Sequence, residues 1–308
     1  MPFSLLQPLR EIPLAFVDVE TTGASAEWGD RIIEIGVVRI EAGQRVAEYQ
    51  QLLDPGRRIG PGIVALTGIS QQMVDGQPRF ADELPRLIEL LSGTIVLGHN
   101  VRFDLSFLAA EFRRSGKDLA DELGSVPVLD TVRIARRRFG RGGNGLQNLS
   151  RRLGIEPVAA HRALADAQTT ALLFDRLMES VGGLGISLVD AITQQGGPMG
   201  LRPATPRENP LPLELQEALE QKSAVMMEYV DAGERRTHRV IEPLEIRRFN
   251  GELTLVAHCR LRQDRRTFKL DRIVRLSRVP AGTIDPGGCA PIDPPHEDLS
   301  LPKATTHS

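Results

Sequence analysis

The chain has 308 residues, 41% hydrophobic and 25% charged, with a net charge of −2. That composition excludes a disordered or fibrous protein and suffices for one large domain with a smaller one beside it. Two cysteines, Cys259 and Cys289, are too few for a disulfide framework or a zinc site of their own. No apolar stretch is long enough to cross a membrane, and the opening MPFSLLQPLREIP lacks the basic start and apolar core of a signal peptide. The expectation is a soluble, cytoplasmic protein.

Residues 12–19 form a short apolar run, and residues 31–55 continue with β-branched residues between glycine turns, which predicts three successive strands. Residues 80–92 have helical spacing, GTIVLGHN (93–100) reads as a buried strand ending in polar residues, and 103–116 is an amphipathic helix with a glycine stop. A strand end runs into a basic helix over 127–141, and 146–154 and 161–180 complete a helical second half. Strands first, then strands alternating with helices, predict an α/β domain with a mixed sheet over residues 1–180. Residues 181–212 hold 11 Gly and Pro in 32 positions, the composition of a linker with one short helix. After a helix near 213–222, short strands with turn signals at 231–233, 250–251 and 263–264 predict a small β-barrel domain over 213–284. The proline-rich tail, 285–308, is expected to be disordered.

Strand residues two apart share a face, so Asp18 and Glu20 in FVDVETTG present their carboxylates together. Such a pair is either a metal site or a solvated edge. Asp104 follows GHNVRF at a strand-to-helix junction, and His161 and Asp166 stand in HRALADA. On a continuous helix those two would lie about 140° apart, bordering one cleft without stacking. Hard oxygen ligands with no cysteine partner favour Mg²⁺ or Mn²⁺ over structural zinc. Four carboxylates suffice for two divalent ions about 3.5–4 Å apart, the spacing of two-metal phosphoryl transfer. His161 titrates in the right range to take a proton from an attacking water. The five side chains together make a set for phosphodiester hydrolysis.

DVETTG (18–23), GHNVRFD (98–104) and HRALADA (161–167), in this order, resemble the three motifs of the DnaQ-like (DEDDh) 3′→5′ exonucleases. DRIIEIGVV (30–38), LTGISQQMVDGQPRF (66–80) and VLDTVRIARR (128–137) are similar to lesser stretches of that family. The resemblance, over about residues 12–178, implies a ribonuclease H-like fold and release of nucleoside 5′-monophosphates from a 3′ end. It implies two Mg²⁺, with Mn²⁺ as a substitute, held by Asp18, Glu20, Asp104 and Asp166, and His161 as general base. Thr21 and Thr22 are candidates to bind the terminal sugar or phosphate, or are strand-end caps. Asn100 and Phe103 are candidates to contact the terminal nucleotide, Phe103 alternatively being a core aromatic. His99 reads as structural. The arginines at 133, 136, 137, 138 and 141 make either a solvated helix face or a phosphate-tracking surface.

Between Arg235 and Arg278 stand thirteen Arg or Lys against five acids, an excess of eight positive charges in a chain that is negative overall. A basic β-rich module beside a nuclease reads as a phosphate-backbone binder or as the charged outer face of a sheet. Residues 222–280 resemble the WYL domain, a small SH3-like or Sm-like β-barrel. The resemblance departs at Leu253-Thr254-Leu255, which keeps only the last letter of the namesake triplet, and at Lys269, where Arg is usual. It implies binding of single-stranded DNA or a nucleotide-like ligand through Arg266, Phe268, Lys269 and Arg272. The expected substrate is a single-stranded DNA end. The alternatives are an exoribonuclease, a proofreading subunit partnered with a DNA polymerase or repair complex, and a non-catalytic nucleic-acid-binding regulator.

Overall fold

The structure, a computed structural model, describes residues 3–140, 142–156, 161–202, 211–231, 235–249 and 252–279. Its first sheet contains β1 (Leu14–Thr21), β2 (Ile32–Glu41), β3 (Gln44–Leu52), β4 (Ile95–Gly98) and β5 (Val128–Asp130), in the order β3-β2-β1-β4-β5. β2 and β3 are joined by Ala42-Gly43, both with positive φ, the two-residue turn whose twist suits an antiparallel pair. β4 and β5 run parallel to β1, which requires helical crossovers. Those crossovers and their neighbours are α1 (Pro61–Thr67), α2 (Gln71–Val74), α3 (Phe80–Leu91), α4 (Arg102–Arg114), α5 (Leu119–Leu123), α6 (Thr131–Phe139), α7 (Leu146–Arg152), α8 (Ala163–Glu179) and α9 (Leu188–Gln194).

The alternation along β1 organises the domain. Ala15, Val17 and Val19 join a core with Phe80, Leu84 and Leu87 of α3 and Phe107 and Phe112 of α4. Leu14 and Phe16 point the other way, into a core with Leu173, Phe174 and Leu177 of α8, where the Phe16 and Phe174 rings stand 5.8 Å apart. The next two side chains of that second face are Asp18 and Glu20. One face of one strand thus changes from apolar to acidic halfway along its length.

Gly36, paired with Asp18 in the β1–β2 register, explains how α8 comes so close. A Cβ on Gly36 would run into the Ala163–Leu164 peptide, so the first turn of α8 rests directly on bare backbone.

Residues 181–202 do not behave as the expected linker. α9 buries Leu188 and Ala191 in the α8 core, and Met199 and Leu201 enter the core on the opposite face. Gly200 bridges to Pro127 at the outer edge of β5, and the buried Gln195 side chain bonds there too. Its Oε1 accepts from Asp130 N–H at 3.0 Å, and its Nε2 donates to the Val128 carbonyl at 3.0 Å. Glycine and proline serve the tight path of this strap. The remainder of the expected linker, 203–210, lies outside the described residues, as do 280–308, which contain the expected disordered tail.

The second domain opens with α10 (Leu213–Gln221) and continues as β6 (Val225–Val230), β7 (Arg236–Phe249), β8 (Glu252–Cys259), β9 (Asp264–Lys269) and β10 (Ile273–Arg278). All neighbours pair antiparallel in the order β10-β6-β7-β8-β9. The expected small β-barrel is seen as a five-stranded antiparallel sheet that does not close, because among the described residues β9 and β10 are its two edges and share no pairing. A three-residue helical turn at Leu270–Arg272 passes the chain from one edge to the other. The core, with Leu215, Met227, Ile241, Leu255 and Phe268, lies between the sheet and α10.

Candidate active site

The side chains singled out in the sequence come from four places in the chain and line one cavity of about 320 Å³. Asp18 and Glu20 project from the C-terminal half of β1, just before a β-bulge at Glu20/Thr21. Asp104 stands in the first turn of α4, and its Oδ1 accepts from the Val19 backbone N–H at 3.0 Å, beyond the point where β4 stops pairing with β1. Asp166 is in the first turn of α8. His161 precedes that helix in a left-handed backbone conformation, φ +61°, and its N–H donates to Asp166 Oδ2 at 2.9 Å. The histidine stands at the helix entrance and the last aspartate inside the helix, as expected, and the two meet through a turn. Ligand atoms of Glu20, His161 and Asp166 lie within 4.8 Å of one another, and Asp18 and Asp104 line the same cavity outside that tightest group.

Gathering these acids in one partly buried cavity shifts their protonation upward. Burial first, then the charges of Asp104, Asp166 and Glu20, push Asp18 well above the ordinary carboxylate range. Burial followed by Asp166 and Glu34 does the same to Glu20, and burial raises Asp104 against the opposing backbone bond from Val19. Asp166 is pushed up to about 7 by burial, despite the donors His161 N–H and Gln147 Nε2 (3.1 Å). Carboxylates in this state are relieved by cations. Buried hard-oxygen donors with a histidine and no thiol fit one or two divalent ions of the Mg²⁺ or Mn²⁺ kind. His161 is held below the ordinary imidazole value by burial and then by Arg275, which keeps the ring neutral at physiological pH.

Two elements of the site went unread as such in the sequence. Glu34 of β2 is fully buried, takes a bidentate ion pair from Arg162 (2.6 Å at the shortest) and accepts from Ala163 N–H at 2.9 Å. It clamps the turn that carries His161 to the sheet. Its signal was a lone acid inside the apolar run RIIEIGVV. Asp130, at the end of β5, caps α6 through Val132 N–H (2.8 Å) and accepts from Asn100 N–H (3.1 Å), fixing Asn100 at φ +63°.

The secondary candidates divide. Asn100 and Phe103 line the cavity, Phe103 leaning on Phe107 at 5.0 Å between ring centres. Thr21 lines it too, although its hydroxyl donates to the Gly23 carbonyl at 2.6 Å. Thr22 is set behind the wall, its Oγ1 accepting from Arg31 N–H. His99 lines the cavity as well, with its Nδ1 2.8 Å from Thr131 Oγ1 and burial pulling it down to about 4. On α6, Arg133 donates to the Gly196 carbonyl, Arg136 pairs with Glu217 of α10 at 3.5 Å and Arg138 donates to the Leu177 carbonyl. These three arginines contact neighbouring elements, and Arg137 is exposed. Arg141 lies outside the described residues.

In the second domain none of Arg266, Phe268, Lys269 and Arg272 reaches the cavity. Phe268 is 4% exposed and packs edge-on against Tyr229 at 5.2 Å, so its ring is core and not a stacking platform. Leu270, Ile273, Val274, Arg275, Leu276 and Ser277 line the cavity instead, with Leu213 and Glu214 of α10.

A mixed five-stranded sheet with an acid pair ending its central strand, answered by acids on two flanking helices and a histidine in the turn before one of them, defines a nuclease domain of ribonuclease H-like fold. The chain belongs to the exonuclease family (RNase_T), whose pattern matches residues 15–174, and residues 211–278 match the WYL domain. Among curated relatives, the 3′-5′ exonuclease DinG of Bacillus subtilis (strain 168) is 39% identical over 166 residues, 54% of this chain and 17% of its own length. A DNA polymerase III PolC-type protein of Thermotoga petrophila is 34% identical over 177 residues, 57% of this chain and 12% of its own. This chain thus spans under a fifth of the length of either. A solved structure of exonuclease I has a TM-score of 0.51 at 19% identity, covering 82% of this chain and 56% of its own, which is a likeness of fold.

Proposed function

We propose that the protein is a divalent-metal-dependent 3′→5′ exonuclease that releases nucleoside 5′-monophosphates from single-stranded DNA ends. The observation that carries this reading is the convergence of Glu20, His161 and Asp166 within 4.8 Å, with Asp18 and Asp104 in the same cavity. Asp18, Glu20, Asp104 and Asp166 are the residues to hold the ions. When bound, the ions supply the charge that lets an anionic phosphodiester approach four carboxylates, and they activate water and stabilise the leaving oxygen.

The chain's own residues do the rest. Neutral His161 has an unprotonated ring nitrogen ready to accept the proton of the attacking water. Glu34 and Arg162 fix the turn on which that ring sits, so its distance from Asp166 is set before substrate arrives. Asn100 and Phe103 border the terminal nucleotide. The basic second domain holds the strand or a nucleotide-like ligand.

The test uses 5′-labelled single-stranded DNA and RNA with Mg²⁺, Mn²⁺ or chelator, beside Asp18→Ala. The expected result is a metal-dependent ladder shortening from the 3′ end, faster on DNA and absent in the variant. Faster shortening of RNA would make the protein an exoribonuclease. The PolC-type relative supports a second reading, proofreading beside a polymerase, and preference for a mispaired primer end over a free strand would favour it.

A further inference from the structure

The second domain forms a wall of the catalytic cavity, and it does so with an edge that the sequence did not single out. β10 carries a bulge: Ile273 pairs with Tyr229 and Arg275 with Glu228, leaving Val274 as an extra residue. The bulge breaks the alternation. Ile273 and Val274 are both buried, at 8% and 4% exposure, and Arg275 is turned outward to the cavity. Bulges of this kind re-aim side chains.

Among the described residues Arg275, like Arg239 and Arg266 of the same sheet, forms no ion pair, whereas Arg236 pairs with Glu228 and Arg247 and Arg265 with Glu245. Arg275 is the arginine of the sheet that lines the cavity. It faces a cavity lined by four carboxylates, beside Arg151 of α7 and the half-buried Glu214. A volume of about 320 Å³ lies at the small end of ligand sites and has room on the order of a single nucleotide unit, not a base pair. The roof, from Ile63 and Leu66 of α1 to Leu270 and Ile273, is apolar, suited to a base or sugar face.

We infer that the second domain is a selector wall that admits only an unpaired strand end, and that Arg275 binds a backbone phosphate of that strand as a positioning residue. This deepens the reading of the site as an exonuclease centre and rests on it for the identity of the strand.

The experiment measures binding of the full chain to a 5′-fluorescent 12-residue oligothymidylate in chelator across a salt series, beside a blunt duplex of the same length. Wild type should bind the single strand more tightly than the duplex. Arg275→Ala should weaken single-strand binding roughly tenfold and flatten the dependence of log Kd on log salt by about 0.7, one phosphate contact. Arg275→Lys should keep the slope. Equal or tighter binding of the duplex by wild type would overturn the wall. An unchanged slope, or tighter binding by Arg275→Ala, would overturn the phosphate contact. Because binding is read without metal, a wild-type protein that fails to cleave while these shifts appear would remove the exonuclease reading and leave the wall standing.

Discussion

The two domains use charge in opposite ways. In the first, Asp18, Glu20, Asp104 and Asp166 line one cavity, with burial and then neighbouring carboxylates, Glu34 and Asp130 among them, raising their protonation ranges. In the second, several arginines of an antiparallel sheet and its turns, Arg236, Arg247, Arg260 and Arg265, pair with acids of the same sheet. Exposed pairs of that kind contribute about 0–1 kcal/mol. Inward like charges instead cost stability, a cost that persists where chemistry requires it. Charge count alone, −2 overall and strongly positive locally, misses the distinction that geometry makes.

The largest expected effect sharpens that contrast. Asp18→Ala and Asp166→Asn should each lower cleavage by more than about 100-fold while the thermal midpoint of the metal-free protein stays level or rises, because a repelling charge is gone. A fall of that midpoint in both variants would mean that the acids stabilise the fold. Next comes Gly36→Ala, which forces the α8 terminus off the sheet. We expect a loss of about 1–3 kcal/mol from overpacking and roughly 100-fold in kcat from the displaced Asp166, measured by denaturant unfolding and single-turnover cleavage.

Glu34→Gln breaks the clamp on the His161 turn. Arg162 is partly solvated, so the cost should be about 1–2 kcal/mol, below that of a fully buried pair; kcat should fall about tenfold with KM little changed. pH offers a milder probe. The folded carboxylates are raised above their unfolded values, so their contribution to stability is fully present below the ordinary carboxylate pKa of 3.8 and is lost as pH rises through about 7, where Asp166 titrates. The metal-free midpoint should fall over that window, and Mg²⁺ or Mn²⁺ should restore it; calorimetry with and without chelator reads both. Smallest of all is Arg265→Ala on the outer face of the second domain, with an expected change under about 0.5 kcal/mol. A larger loss would show that the outer charges are not interchangeable.

Much of the first domain is legible in the sequence because its signals are local. The period of two along LAFVDVE places Asp18 and Glu20 on one face, and the structure has them there. The motifs also bring Asp104, His161 and Asp166 to the same cavity. What stayed hidden depends on contacts between distant segments. Glu34 reads as one charge in a strand until Arg162, 128 positions later, lies on it. Phe268 reads as a candidate ligand-binding residue until Tyr229 and the core enclose it. Glycines and prolines between 181 and 202 mimic a linker, since a tight strap and a loose one share composition. Arg275 was one basic residue among thirteen, and the bulge that turns it is a matter of register between β10 and β6.

The side chain of Gln195 stands in for a peptide unit on the open rim of β5, filling the place where another strand would dock. A nuclease domain cut at the end of α8 would keep every carboxylate and the histidine yet lose this plug. Its exposed rim, with Val128 and Asp130 wanting partners, would be free to recruit the same rim of a second molecule. Such a fragment should self-associate with concentration, and one extending to residue 202 should stay monodisperse in sedimentation. Where the domain ends is therefore a question of solubility as much as of catalysis.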